Sequence, residues 1–236
     1  MKHRACSKNA PPSYTLVRRI LAGLAAGAFT LGAVPCAAAD QVVTEDTILV
    51  MGDNTGNPAT VTVGTTGGGD TPQIGVKTAD GKLAGGVAIG TFQRARDNYK
   101  GKVSGGKVFI KSGMLGEVHG IRAELGTGED LHIEGGQAEM SGGTLLVDKK
   151  IGFSTRRNVF GLFGAIAELN TDAAPADLDH GTPAQAEVTG STVTLAGGKL
   201  KDERGSIATS FPFHIAGGAV AMYDAGTLEA KLSGNK

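Results

Sequence analysis

Val103-Ser104-Gly105-Gly106-Lys107-Val108-Phe109-Ile110 holds the pattern on which the fold turns: an apolar residue, a small one, two glycines, then a second apolar run. Paired glycines let the backbone take angles closed to other residues, so the pattern predicts a strand, a tight corner and another strand. The same tetrapeptide of apolar residue, small or acidic residue and Gly-Gly recurs at residues 83–86, 133–136, 140–143, 195–198 and 215–218. Short runs rich in β-branched residues lie around it, at 47–50, 60–63, 108–110, 144–147 and 192–195, which is the strand signature. Long helical periodicity is missing. Residues 165–169 could extend a short helix, but the glycines at 161 and 164 weigh against it.

Longer echoes accompany the short pattern. Gly120-Ile121-Arg122-Ala123-Glu124-Leu125 is similar to Gly164-Ala165-Ile166-Ala167-Glu168-Leu169, 44 residues later. Gln137-Ala138-Glu139-Met140-Ser141-Gly142 is similar to Gln185-Ala186-Glu187-Val188-Thr189-Gly190, 48 later. The order is kept and the offset grows by four, as a loop insertion at 171–180 would cause. These echoes predict an imperfect repeat made of two turns of a coil, each of about 20 to 25 residues. The expected fold is therefore all-β, a glycine-rich parallel β-solenoid. The alternative is a β-sandwich or jelly roll, which also strings short strands between frequent turns.

Residues 1–39 form a separate segment. Lys2, Arg4, Lys8, Arg18 and Arg19 stand without an acidic residue, an apolar run from Ile20 to Val34 follows, and Ala37-Ala38-Ala39 closes it. This is the layout of a cleavable secretory signal, with a run too short for a bilayer span of about 20 apolar residues. Val17 before Arg18-Arg19 disfavours a twin-arginine signal, and Pro35 before Cys36 disfavours lipidation. Cleavage before Asp40 leaves one β-rich repeat domain, residues 40–236, without either cysteine, Cys6 or Cys36. Disulfides, cysteine metal sites and a thiol nucleophile are then excluded. Five of the 23 basic residues and none of the 23 acidic ones fall in the leader, leaving 18 against 23 and a net charge of −5. Such a body does not attract nucleic acid or anionic membranes. No second membrane-length apolar segment follows, and with no Trp and 3 Tyr the aromatic girdles of a membrane barrel cannot be built.

The basic leader ending in Ala37-Ala38-Ala39-Asp40, followed by degenerate apolar-x-Gly-Gly strands with few aromatics and no cysteine, resembles the passenger region of bacterial autotransporter and filamentous adhesins. The resemblance spans nearly all of residues 40–236 but rests on pattern and composition. It departs from that family in having no C-terminal translocating barrel in the sequence. It implies a non-enzymatic structural or adhesive protein, secreted or on the cell surface or, alternatively, in the periplasm. Its partners would be a protein or glycan of a host or neighbouring cell surface. Two other functions fit the residues: a polysaccharide-acting enzyme on a β-solenoid, and a soluble periplasmic binding protein of β-sandwich fold.

Candidate chemistry is sparse. Asp172, Asp177 and Asp179 gather oxygen ligands in one polar stretch and are weak candidates for Ca²⁺, although no ordered ligand series is present and a solvated loop is the simpler reading. Gly126-Thr127-Gly128-Glu129-Asp130-Leu131 partly matches a calcium-binding nonapeptide, whose sites need stacked copies; a plain turn is favoured. Ser104-Gly105-Gly106-Lys107 fits Ser-x-x-Lys formally, but its glycines oppose the helix that motif needs. His119, His132, His180 and His214 lack metal-ligand spacing and are expected at surfaces or strand ends. Gly161-Leu162-Phe163-Gly164-Ala165-Ile166-Ala167 matches the start of a fusion peptide, yet its more polar counterpart at 120–125 favours a core strand or short helix. Glu124 with Glu168, and Glu139 with Glu187, hold equivalent places in the echoes. On a solenoid they would stack as carboxylate pairs, the arrangement a glycan-cleaving enzyme uses at about 5 to 9 Å.

Overall fold

The structure is a computed structural model that describes residues 40–77, 83–95, 99–147, 161–169, 182–202, 214–222 and 227–236. The expected signal segment, the loop with Asp172, Asp177 and Asp179, and His180 lie outside the described residues.

The described chain is all strand and connection. It begins with β1 (Asp40–Val43), β2 (Leu49–Asp53) and β3 (Thr60–Val63), then a short pair, β4 (Gly75–Lys77) and β5 (Leu83–Gly85). Next come β6 (Val87–Arg94), β7 (Lys100–Ser104), β8 (Lys107–Ile110) and β9 (Met114–Leu115). The same order of long, medium and two short strands returns in β10 (Glu117–Leu125), β11 (Asp130–Glu134), β12 (Gln137–Met140) and β13 (Thr144–Val147). It returns again in β14 (Gly161–Leu169), β15 (Ala184–Thr189), β16 (Thr192–Leu195) and β17 (Lys199–Asp202), and ends with β18 (His214–Met222) and β19 (Leu228–Ser233).

Consecutive strands never join the same sheet, the antiparallel pair β4–β5 excepted. Sheet I has the order β1-β3-β8-β12-β16, sheet II β2-β6-β10-β14-β18, sheet III β7-β11-β15-β19 and sheet IV β9-β13-β17. From β6 onward the chain visits sheets II, III, I and IV in turn and starts again. All four sheets are parallel. A β-sandwich or jelly roll needs antiparallel ladders, so that alternative does not describe this chain.

The strand pairing also revises the spacing. β10 and β14 lie side by side with Glu124 opposite Glu168 and Leu125 opposite Leu169, so 44 residues separate adjacent strands where two coil turns were expected. The second echo does not align: Gln137 neighbours Thr192, and Gln185 neighbours Asp130. Five of the six Gly-Gly tetrapeptides fall where one strand hands over to the next, and Gly105, Gly135, Gly143 and Gly198 supply positive φ there. The sixth, 215–218, lies inside β18.

That exception has a physical cause. Gly52, Gly90, Gly120, Gly164 and Gly217 hold equivalent places across sheet II. A Cβ added to Gly120 would lie 2.5 Å from the backbone N and O of Gln137 and from Gly164 O, which no real Cβ tolerates. Sheet II therefore touches the first residues of the sheet I strands backbone to backbone. Around this contact the interior divides in two. Val50, Ala88, Val118 and Leu162 pack with sheets I and IV, whereas Ile121, Ala123, Leu125 and their neighbours pack with sheet III. Fully burying one Val, Leu or Ile side chain stabilises by about 1.5–3 kcal/mol, and residues of one type recur in register along each column. Residues 161–167, with their likeness to a fusion peptide, are a fully buried strand of this interior, and 165–169 are strand, not helix. Among the described residues no helix is long and apolar enough to cross a membrane.

Candidate functional site

The middle strands of sheet II, β10 and β14, are buried on both faces, and the second face carries charge. In β10 every residue is buried. Val118 faces one half of the core and Ile121, Ala123 and Leu125 the other, which leaves Glu117, His119, Arg122 and Glu124 for the opposite side. A charge in such a place must be paired. Arg122 makes the pairing across strands: its Nε and one terminal nitrogen lie 3.0 and 2.8 Å from Glu168 Oε2, and the other terminal nitrogen lies 3.6 Å from Glu117 Oε2. Arg94 Nε of β6 lies 3.3 Å from Glu124 Oε2. Three strands are thus linked by carboxylate and guanidinium groups.

His119 extends the cluster. Its Nε2 lies 3.2 Å from Glu117 Oε2, its ring stacks on Phe163 at 5.4 Å with planes 7° apart, and His214 follows at 6.3 Å from Phe163. Nδ1 is buried without a hydrogen-bond partner. Burial lowers the imidazole's pKa, with Arg122 acting in the same direction and the Glu117 contact against it. A neutral ring that offers its Nε2 proton to Glu117 satisfies these contacts. The expectation that His119 would be a surface or strand-end residue is therefore corrected: it sits mid-strand, wholly buried.

Glu168 is strongly perturbed. Burial pushes its pKa up from 4.5 to about 7, the Arg122 charge opposes that, and Glu124 and Glu117 add to it. Among the described residues three carboxylates share the two guanidinium groups of Arg94 and Arg122.

Sheet III carries an exposed counterpart. His132 of β11 has Lys102 on one side and Glu187 on the other, and Lys231 follows Glu187. His132 Nδ1 lies 3.0 Å and Lys231 Nζ 2.6 Å from the Glu187 carboxylate, and Lys102 pairs with Glu134. The next column outward-facing in the same sheet is Lys100, Asp130, Gln185 and Glu229, all exposed.

The other candidates fare differently. Glu124 and Glu168 are brought together, but Glu139 neighbours Thr194 and Phe109, so no Glu139–Glu187 pair exists. Ser104 to Lys107 is the corner from β7 to β8, with Gly105 at φ 74°. Gly128, at φ 77°, makes a turn before Asp130 enters β11. Among the described residues no three His, Asp or Glu side chains converge as a metal site would need. Sequence reading passed over Arg94, Glu117 and Arg122. The signal available was an acidic or basic residue every second or third position in a stretch otherwise fit for a core.

Comparison with protein-family models, with curated proteins and with solved structures gave no match.

Proposed function

We propose that the chain is a glycine-rich parallel β-solenoid, exported by its first 39 residues, that serves as a surface or secreted structural and adhesive scaffold of the autotransporter-passenger kind. The observation that carries this reading is the sheet III face. Lys100, Asp130, Gln185 and Glu229 stand beside Lys102, His132, Glu187 and Lys231 as two in-register columns of polar groups. Regular ladders of this type present a long, flat, hydrogen-bonding surface to a protein or glycan of another cell. The charged groups of sheet II, by contrast, are engaged with one another and buried, as a scaffold needs and a substrate site does not. The test is binding of the purified protein to immobilised matrix proteins and glycans. The proposal expects saturable binding that drops at least tenfold in a Lys100→Glu/Lys102→Glu variant of unchanged fold, and wild-type levels in that variant would overturn it.

A second reading, a polysaccharide-acting enzyme, is favoured by one observation: Glu124 and Glu168 are register partners on adjacent strands, which stand about 4.8 Å apart, and Glu168 retains a proton near neutral pH. That combination of acid and carboxylate is what glycoside cleavage requires. Reducing-sugar release that disappears in Glu168→Gln and Glu124→Gln would replace the scaffold reading by this one.

A further inference from the structure

Four exposed lysines follow one path through the fold: Lys100 and Lys102 of β7, Lys107 of β8, and Lys111 just beyond it. Val103, Val108 and Ile110, between them, are buried. Alternation along each strand therefore turns the lysines outward. The corner at Gly105, φ 74°, carries the path from sheet III to sheet I. Residues 99–111 contain no Asp or Glu. Lys102 pairs with Glu134, whereas Lys100, Lys107 and Lys111 make no ion pair among the described residues.

The neighbouring strands differ. β11 and β12 place Asp130 beside Lys100, Glu134 beside Ser104 and Glu139 beside Phe109. Beyond them β15 and β16 carry Gln185, Glu187, Thr189, Thr192 and Thr194 at the equivalent positions, again without a lysine or arginine. On the other side β3 sets Thr60 beside Lys107 and Thr62 beside Phe109. Positive charge is thus held in a band one strand wide, with strands about 4.8 Å apart. Carboxylates border it on one side, and along β8 hydroxyls border it on the other.

We propose that this band binds a linear anionic polysaccharide, bearing carboxylate or sulfate groups, laid along β7 and β8 from Lys100 to Lys111. The proposal rests on the scaffold reading and names its partner. Length selects a polymer: residues 100–111 in nearly extended form cover roughly 30 Å, which a chain of several sugars fills and a small anion does not. Width selects a single chain. Duplex nucleic acid or an anionic membrane, broader than the band, would also lie on Asp130, Glu134 and Glu139, where like charges meet. Chemistry selects a sugar, whose rings have apolar faces and hydroxyl edges. Phe109 is half-buried between Lys107 and Lys111 and presents an apolar ring, and Thr60 and Thr62 supply hydroxyls beside it.

Titration of the full chain with dextran sulfate and with polygalacturonate, and with neutral dextran as control, tests the proposal. Mass spectrometry records the N-terminus carried, which must be the same in every variant compared. Wild type is expected to bind a charged polymer, to lose about a hundredfold in affinity between about 50 and 200 mM salt as counterion release predicts, and not to bind neutral dextran. The charged polymer preferred tells sulfate from carboxylate. Lys107→Gln/Lys111→Gln should weaken binding about tenfold or more and Glu139→Gln should strengthen it, with circular dichroism confirming the fold of each. Neutral dextran bound as well as the charged polymers overturns the proposal, as does single-stranded DNA bound more tightly than either. Wild-type affinity in Lys107→Gln/Lys111→Gln overturns it too. A loss confined to Lys100→Glu/Lys102→Glu would then still uphold the scaffold reading, so the two fail separately.

Discussion

Glu168 and Glu187 make the same kind of contact with opposite consequences. Each is a glutamate on a long parallel sheet, each faces a cation on a neighbouring strand at 2.6–2.8 Å, yet the pKa of Glu168 is pushed up to about 7 while that of Glu187 is lowered. For Glu187 the hydrogen bonds from Lys231 and His132 dominate, because water still solvates the carboxylate. For Glu168 the loss of water outweighs the Arg122 charge. The lesson is that a cross-strand ion pair in this fold stabilises or constrains according to the face it occupies, not according to its geometry.

The strongest way to break the comparison is to remove the shared cation from the buried face. Arg122→Met removes the guanidinium that Glu117 and Glu168 share and is expected to cost about 3–5 kcal/mol, read from the midpoint of urea unfolding. The loss should be smaller at pH 5 than at pH 8, where Glu168 no longer takes a proton; equal losses at both would break the link between Arg122 and Glu168.

The backbone allows a similar contrast. Gly120→Ala forces a Cβ to 2.5 Å from three backbone atoms and is expected to destabilise by about 3 kcal/mol. Gly135→Ala, at an open corner with φ 66° and nothing near its Cβ, should cost only about 1–2 kcal/mol. Calorimetric melting of the two variants side by side gives the order, and a larger loss for Gly135→Ala would reject the backbone contact between sheets I and II.

Titration sharpens the contrast between the two glutamates. A carboxyl with a raised folded pKa binds its proton more tightly when folded, so its contribution is fully present below 4.5 and is lost as pH rises through about 7. The whole effect amounts to about 3 kcal/mol at most. His119 acts oppositely: its lowered pKa penalises folding below 6.5 and not above. The difference between wild type and Glu168→Gln isolates Glu168, and it should grow against wild type from pH 5 to pH 8. A pH-independent difference would falsify the assigned shift.

The smallest effect is expected on the exposed face. Lys231→Ala removes one of the two partners of Glu187 where solvent screens the pair, and its melting temperature should match wild type in about 1 M salt. A persistent loss there would mean that sheet III is less open to water than its exposed columns suggest.

How much of this was legible beforehand depended on which faces of a strand meet water. Residues 60–63, 144–147 and 192–195 were readable as strands because inward and outward positions alternate or bound a glycine corner, and β3, β13 and β16 coincide with them. β10 and β14 were harder to read, and residues 161–167 of β14 left strand and short helix both open, since all nine residues of each are buried and burial on both faces erases the period of two. The 44-residue echo aligns in register on adjacent strands but was read as two coil turns, because spacing does not say how many strands intervene. Amino-acid order alone determined the all-β character, the glycine corners and the absence of cysteine from residues 40–236. Only the tertiary structure decided which glycines were corners and which were contacts, and that Arg122 and Glu168 meet across 46 residues. Those facts depend on strands far apart in sequence lying side by side.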